Sequence, residues 1–490
     1  MKGLQCFFVI LVILSSHCRK NHKPLAPSKP KGSDTVYVDW ECEYIVNVSD
    51  PDRDSVQVQF VWGDGTISFW SDFVASGGEV VMQKVWDRSG EFYVKARARD
   101  RRGDFSSYSD SLKVKVLNVW NKIYQDFGKA YATLICPANK GGYVVGGHTT
   151  IRSFDSNFRN VILLFKIDER GNVKWRRTFS IGKDCKPWAI CSSKIGGYVV
   201  VGTYTWGIQS GRNIFVLKID EEGNLVWQRS LENHEFGRDV AICSDAEFGF
   251  LLVANIYLNE TGERRILAIK LDSLGKIVWQ KEFGEDRDVY AYDVCLTHDS
   301  CYLVVGYVNI PSVGNSLMYV FKFNQSGELI WEKSFGSGWE NEATCITESD
   351  QYEYLIAGST VPTEGKNARV VLLKIDGSGN VLWLKEYKAE ASDAPQAICK
   401  ARDGGYVVLV SSAIWEAGDV FAYVLKVDKD GNCLWEKSWS ISGADVLLDI
   451  APAEDGGFVM AGFNDFGIHL IKMSINGEAP ELWKELLEDW

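Results

Sequence analysis

The chain has 490 residues, 46% of them apolar and 24% charged, which is ordinary globular composition and enough length for two or three domains. A net charge of −12 excludes a broadly basic nucleic-acid-binding surface and favours solubility. The six histidines fall at no metal-ligand spacing, and no Gly-x-Ser-x-Gly elbow or phosphate loop occurs.

Residues 1–18 read as an export signal. Lys2 supplies a minimal positive start, and residues 7–14 form an apolar core too short to span a membrane. Cys18 follows, and the Pro-rich stretch 19–32 is expected to be a flexible tether. This start resembles that of a bacterial lipoprotein, with Cys18 as the lipidated residue. Ser15 stands where such signals usually carry leucine, and His17 precedes the cysteine. The alternative is an ordinary secretory signal cleaved near Ser16. Either way the rest of the chain is exported, to the cell surface or periplasm. Lipid at Cys18 would be its one membrane attachment.

Residues 33–117 carry strand-like runs at 35–40, 56–62, 80–86, 91–98 and 112–117, separated by turn residues at sandwich spacing. The string Trp62-Gly63-Asp64-Gly65-Thr66, with residues 93–100 and Gly103 downstream, resembles a PKD or fibronectin-like domain. That resemblance implies an Ig-like β-sandwich acting as a spacer or adhesive module. Asp50-Pro51-Asp52-Arg53-Asp54 has the oxygens for Ca²⁺, but Asp and Pro favour a solvated turn there.

From residue 118 the chain repeats. Trp120, Trp175, Trp227, Trp279, Trp331, Trp383, Trp435 and Trp483 are separated by 55, 52, 52, 52, 52, 52 and 48 residues. Each interval holds four short Val/Ile/aromatic runs bounded by Gly, Asn or Asp. Four strands per repeat, A to D outward from an axis, make a seven-bladed β-propeller over residues 118–490. The run beginning at Trp120 precedes the first strand A, so it is expected to complete the last blade and close the ring. Residues 480–490 then form a competing strand D or a short helix. The fold class is therefore all-β, a small sandwich followed by a propeller.

The repeat Lys-Ile-Asp-x-x-Gly-Asn-x-x-Trp, at 218–227 and 374–383, is similar to the PQQ-like propeller repeats. The resemblance implies a tryptophan that docks one blade on the next. It does not imply the cofactor, and no adjacent cysteine pair of the quinone enzymes occurs, so PQQ is not expected. Lys166, Lys218, Lys270, Lys322, Lys374, Lys426 and Lys472 recur in every blade and are framework residues. Cys136, Cys191, Cys243, Cys295, Cys345 and Cys399 fall at one position of strand A and are expected to pack as small apolar residues. Cys295 and Cys301 are the one pair spaced for a bond within a turn.

Catalytic constellations are scarce, so candidate sites come from the asymmetry between faces. The B–C loops differ in every blade, and variable loops on a rigid scaffold carry binding. Their aromatics and arginines are the ligand-binding candidates: Arg152, Phe154, Phe158, Arg159, Tyr204, Trp206, Tyr257 and Trp415. Asp184, Asp239, Asp286, Asp288, Glu340, Asp393 and Asp445 stand where the chain turns into strand A and would ring the channel mouth on that face. The reading is an exported, non-catalytic protein whose variable face binds a glycan or an envelope protein, without cofactor unless Ca²⁺ is held. The alternative is a propeller enzyme at the channel mouth, either a quinone oxidoreductase or a polysaccharide-cleaving enzyme.

Overall fold

The fold is described from a computed structural model for residues 20–479, except 153–157, 207–210, 233–235, 259–262, 286, 313, 351, 364–366, 388–391, 415–418 and 440–445. The expected export signal, Cys18 and the tail 480–490 lie outside the described residues. Two compact units divide at Asn118. Among the described residues the structure is β throughout, save a 3-10 turn at Gln125–Phe127.

The first unit is a sandwich. Strands β1 (Thr35–Tyr37), β3 (Val56–Val61), β5 (Gly90–Asp100) and β6 (Leu112–Leu117) form one sheet, and β2 (Glu41–Asn47) pairs with β4 (Glu79–Val85) in the other. Strand β2 has no counterpart among the expected runs. Alternate residues of β5 (Phe92, Val94, Ala96, Ala98) face a core completed by Tyr44, Phe60, Trp62 and Trp86. The Trp-Gly-Asp-Gly-Thr string is a tight turn. Asp64 accepts the Thr66 N–H at 2.8 Å and pairs with Lys84 at 2.6 Å.

The stretch expected to be a tether is instead laid on this sandwich. Pro24, Pro27 and Pro30 are buried, and the intervening positions are more exposed. A three-residue period is that of polyproline II, so one face of the strap carries every proline. Backbone bonds from Leu25 to Ser49, Ser28 to Asn47 and Lys31 to Ile45 fix it along β2. Composition suggested flexibility; the spacing of the prolines decides otherwise. The Asp50 loop is the turn its residue types favour, with Asp50 Oδ1 accepting the N–H groups of Asp52 and Asp54 at 2.7 and 3.3 Å.

The second unit contains five four-stranded antiparallel sheets and one of eight strands, in which two four-stranded blades are joined by a single parallel pairing of Asn160 with Asp184. In blade 1, strands A to D are Ala130–Pro137, Tyr143–Arg152, Phe158–Ile167 and Val173–Phe179. Strand A of each blade packs on strand A of the next, and that of the last packs on the first, so the sheets form a closed ring. The last blade takes Trp120–Tyr124 as its outer strand, paired with Gly467–Met473. The expected closure is therefore present, and it joins chain segments nearly 350 residues apart.

The tryptophan period has a steric cause. Each strand D tryptophan lies against the glycine of the next blade's C–D turn. A Cβ on Gly223, Gly275, Gly379 or Gly431 would come within 2.9 Å of Trp175, Trp227, Trp331 or Trp383. The same glycines have φ near +75°, a region other residues enter at a cost. Indole N–H groups then bond the turn carbonyls, as Trp175 does to Glu221 at 3.0 Å and Trp279 to Gln325 at 2.9 Å. The turn aspartate holds its loop: Asp220 Oδ1 accepts the N–H groups of Glu222 and Asn224 at 3.0 and 2.7 Å.

Six of the seven strand C lysines are buried and Lys166 is half-buried, and acids near the A–B turns meet most of them. Lys322 pairs with Asp299 at 2.7 Å, Lys374 with Glu353 at 2.8 Å, Lys426 with Asp403 at 2.7 Å and Lys472 with Asp455 at 2.9 Å. Lys218 bonds the Gly196 carbonyl instead, and burial lowers its amine to about 8.

Candidate functional site

Strand A carries a β-bulge near its midpoint in every blade, most often placing one extra residue opposite a B-strand glycine (Gly147, Gly202, Gly306, Gly358 or Gly462). The next residue outward faces the neighbouring blade. It is Asp293 in blade 4 and Asp449 in blade 7. Asp293 accepts the Ile346 N–H of blade 5 at 3.0 Å, and Asp449 accepts the Ile135 N–H of blade 1 at 2.8 Å. Both carboxyls are enclosed by protein yet keep some solvent contact. Burial pushes Asp293 up to about 6 and Asp449 up to about 7, and each bonds two N–H groups that work in the opposite direction.

Five of the six axial cysteines hold one ladder position, opposite Val144, Val199, Leu251, Leu303 and Val407. Cys345 departs from the expected alignment. It pairs with Ala357, two residues further up strand B, because it stands two residues earlier in strand A than its counterparts do; it thus takes the place of Asp293 and Asp449. All the described cysteines are unbonded, Cys295 and Cys301 included. Burial raises the thiols, Cys136 and Cys399 to about 12, which keeps them protonated and unreactive. Among the described residues no group of three or more His, Cys, Asp or Glu is placed to hold a metal.

The acids expected to ring the channel mouth have unlike surroundings. Asp393 is buried, bonded by Ser412 at 2.5 Å and Tyr423 at 2.7 Å, with burial raising its carboxyl. Asp184 accepts from Asn160 at 2.6 Å and clips blade 1 to blade 2. Glu340 is exposed, and Asp286 and Asp445 lie outside the described residues. Tyr204 is buried rather than displayed, donating to Glu232 at 2.9 Å, while Trp206, 56% exposed, stands edge-on to its ring. Arg152 and Phe158 are exposed at the ends of a hairpin longer than expected. Phe154 and Trp415 lie outside the described residues.

Asp239, Asp288 and Tyr257 are brought together, in a cluster built across blades 3, 4 and 5. At its centre Arg264, the first residue of strand C in blade 3 (Arg264–Leu271), grips Asp288 with Nε and Nη2, both at 2.8 Å. Its third nitrogen donates to Tyr307 at 2.5 Å, and its guanidinium lies 5.5 and 5.3 Å from the Tyr290 and Tyr307 rings. Those two rings stack at 5.4 Å and 14°, and Tyr292 leans on both. Tyr290 donates to Asp239, and Tyr292 to Glu342 at 3.2 Å. Tyr257, 41% exposed, ends the adjoining strand B.

The electrostatics of this cluster are split. Burial works to raise Asp288, but bonds from Arg264 and Asn309 outweigh it and hold the carboxyl below its ordinary value. Burial raises Glu342, helped by the Glu340 charge and opposed by the Tyr292 hydroxyl and the Arg264 charge. The site therefore offers a fixed cation with a committed partner, a buried acid and a wall of phenols. Arg264, Tyr290, Tyr292, Tyr307 and Glu342 were not among the expected residues. Their signal was a break in the repeat: blade 4 opens strand A with Tyr290-Ala291-Tyr292, where most blades have one aromatic ring or none.

A cleft of about 450 Å³ opens on the opposite face between blades 1 and 2, lined by Lys140, Lys166, Asp168, Trp175 and Glu221. Lys166, Asp168 and Trp175 are framework positions that recur around the ring. Lys140 stands in the A–B turn where other blades bring an acid to the strand C lysine. The cleft is thus a gap between two repeated turns.

No family model matches the chain, and no curated protein matches it. Among solved structures, the PKD domain of an M14-like peptidase from Thermoplasmatales archaeon SCGC AB-540-F20 is 30% identical, over 20% of this chain and 98% of that one, with a TM-score of 0.19. The β-propeller domain of the Trilobed protease from Pyrococcus furiosus is 12% identical, over 73% of this chain and 99% of that one, with a TM-score of 0.43. The acylaminoacyl peptidase of Pyrococcus horikoshii is 12% identical, over 74% of this chain and 54% of that one, with a TM-score of 0.41. By the strand order and packing described above, the chain is a small two-sheet β-sandwich followed by a β-propeller.

Proposed function

We propose that this is an exported, non-catalytic binding protein whose propeller recognises a glycan on the face of the B–C loops. The carrying observation is the Arg264 cluster: phenol rings, a guanidinium and carboxylates converge there, held by one another rather than by a repeated framework. Aromatic rings suit the apolar face of a sugar, and fixed donors and acceptors suit its hydroxyls. Tyr257, Tyr292, Arg264 and Glu342 would make the contacts, with Tyr290 and Tyr307 as their support. Export through residues 1–18, with lipid at Cys18 or without it, would put this face outside the cytoplasm. The PQQ-like repeats would supply the blade framework alone.

The test is a binding screen of the full chain against cell-wall and plant polysaccharides, repeated with Arg264→Gln and Tyr257→Ala. Binding lost in both variants supports the reading, and binding retained in both removes it. A second reading, a polysaccharide-cleaving enzyme, is favoured by Glu342, an acid raised by burial beside a cluster whose other carboxyl is held ionised. Shortening of a polysaccharide that Glu342→Gln abolishes would make that reading the better one.

A further inference from the structure

The sandwich carries a second surface unrelated to the propeller site. In the second half of β5 the residues that point away from the core are basic: Lys95, Arg97 and Arg99, continued by Arg101. Alternate residues of a strand lie about 6.7 Å apart, so the four cations form a row about 20 Å long. Each lies over an aromatic ring. Lys95 is 4.4 Å from Tyr108, Arg99 is 4.3 Å from Trp70, and Arg101 is 4.4 Å from Phe73. Arg97 sits between Trp70, Phe105 and Tyr108 at 5.5, 5.0 and 5.6 Å. Gln59 and Gln57 of β3 accept from Arg97 and Arg99 at 2.9 and 3.0 Å, which fixes the guanidinium planes.

The charge of this row is not neutralised. Among the described residues no carboxylate pairs with Lys95, Arg97, Arg99 or Arg101, whereas most buried propeller lysines meet an acid. Four cations held side by side without counter-charge raise the local potential and favour an anionic occupant. The chain's negative charge does not oppose this, because nearly all of its excess lies beyond residue 118.

The edges of the sheet say what kind of occupant fits. Residues 68–74 run along β3, with Ser68 and Ser71 bonding the Phe60 and Val58 carbonyls at 2.9 Å and their hydroxyls accepting those residues' N–H groups. Residues 106–109 do the same along β5, through Ser106 to Ala98 and Ser109 to Ala96. Both flanks of the β3–β5 stretch that carries the row are taken, so a peptide cannot join there as an added strand, and only the face is offered. That face presents planar guanidinium forks, which match carboxylate or sulfate groups, between ring edges left open at Phe73, Phe105 and Tyr108.

We infer that the Lys95–Arg101 face of the sandwich binds an anionic polysaccharide, one bearing uronate or sulfate groups along an extended chain. The experiment is affinity electrophoresis of the full chain in gels containing polygalacturonate, heparin, neutral dextran or polyglutamate, with salt varied. Expected are retardation by polygalacturonate or heparin that weakens with salt, and none by dextran. The two active gels distinguish a uronate from a sulfated ligand. Arg97→Gln/Arg99→Gln should reduce affinity at least tenfold, Arg97→Lys/Arg99→Lys less, and Lys429→Gln, at an exposed lysine of a propeller turn, not at all. Circular dichroism confirms that each variant is folded. Retardation unchanged in the Gln variant, retardation by neither polysaccharide, or equal retardation by polyglutamate would each overturn the inference.

Discussion

Asp449 offers the sharpest physical test of the ring. Its carboxyl is raised by burial, with the Asp293 charge adding to the effect, to about 7 from an ordinary value of 3.8. Between those limits the folded chain holds a proton that the unfolded chain has lost, so stability falls as pH rises through the window. Three units amount to about 4 kcal/mol at most, and solvent contact at the channel wall brings the figure nearer 2–3 kcal/mol. Asp449→Asn removes this penalty but weakens two bonds, from Ile135 and Ile450 at 2.8 Å each. That weakening costs about 1 kcal/mol in all. The variant should therefore be more stable than the parent by about 1–2 kcal/mol at pH 8 and less stable by about 1 kcal/mol at pH 3, where the carboxyl is protonated in both states. Urea unfolding followed by tryptophan fluorescence at the two pH values reads both differences. The same sign at both would show that Asp449 does not titrate in this window and would refute the reasoning.

Other outcomes follow from single contacts. Gly275→Ala should cost about 2–4 kcal/mol, combining a strained backbone with displacement of the Trp227 ring, whereas Gly404→Ala should cost about 1 kcal/mol. The contrast holds because a Cβ at Gly275 meets that ring at 2.8 Å and one at Gly404 meets nothing, so urea midpoints separate the two effects. Lys218→Met should stabilise the protein by about 1–3 kcal/mol at pH 7 and progressively less towards pH 10. Below about 8 the folded chain protonates a buried amine at a cost, and above it that cost disappears. Among the described cysteines, Cys433 is exposed and should react with maleimide in the native protein, while Cys136, Cys345 and Cys399 react only after unfolding.

Much of the propeller was legible because one contact repeats. Each blade sets an indole against a glycine of the next, so both residues recur at the period of the fold and cannot drift separately. Ring closure by Trp120 was legible for the same reason, as a strand D with no blade of its own. The strap at 20–31 was misread because prolines and lysines suggest flexibility, while the signal lay in their three-residue spacing. Cys345 was misplaced because it stands two residues earlier in strand A than the other five, and blade 5 lacks the glycine pair that would have fixed the alignment. The Arg264 cluster was missed for a more general reason. It gathers residues from three blades, 239 to 342, through bonds whose one local trace is the Tyr290-Ala291-Tyr292 break in the repeat. Three of its members, Asp239, Asp288 and Tyr257, were found only because they lie on the variable face.

The central claim is that the Arg264 cluster is the ligand site of the propeller, and titration calorimetry on a glycan found by the screen tests it. Arg264→Gln and Tyr292→Phe should each weaken binding at least tenfold, while Trp206→Ala, on the same face but outside the cluster, should leave it unchanged. A strong effect at Trp206 with none at Arg264 or Tyr292 would contradict the account and move the site to blade 2.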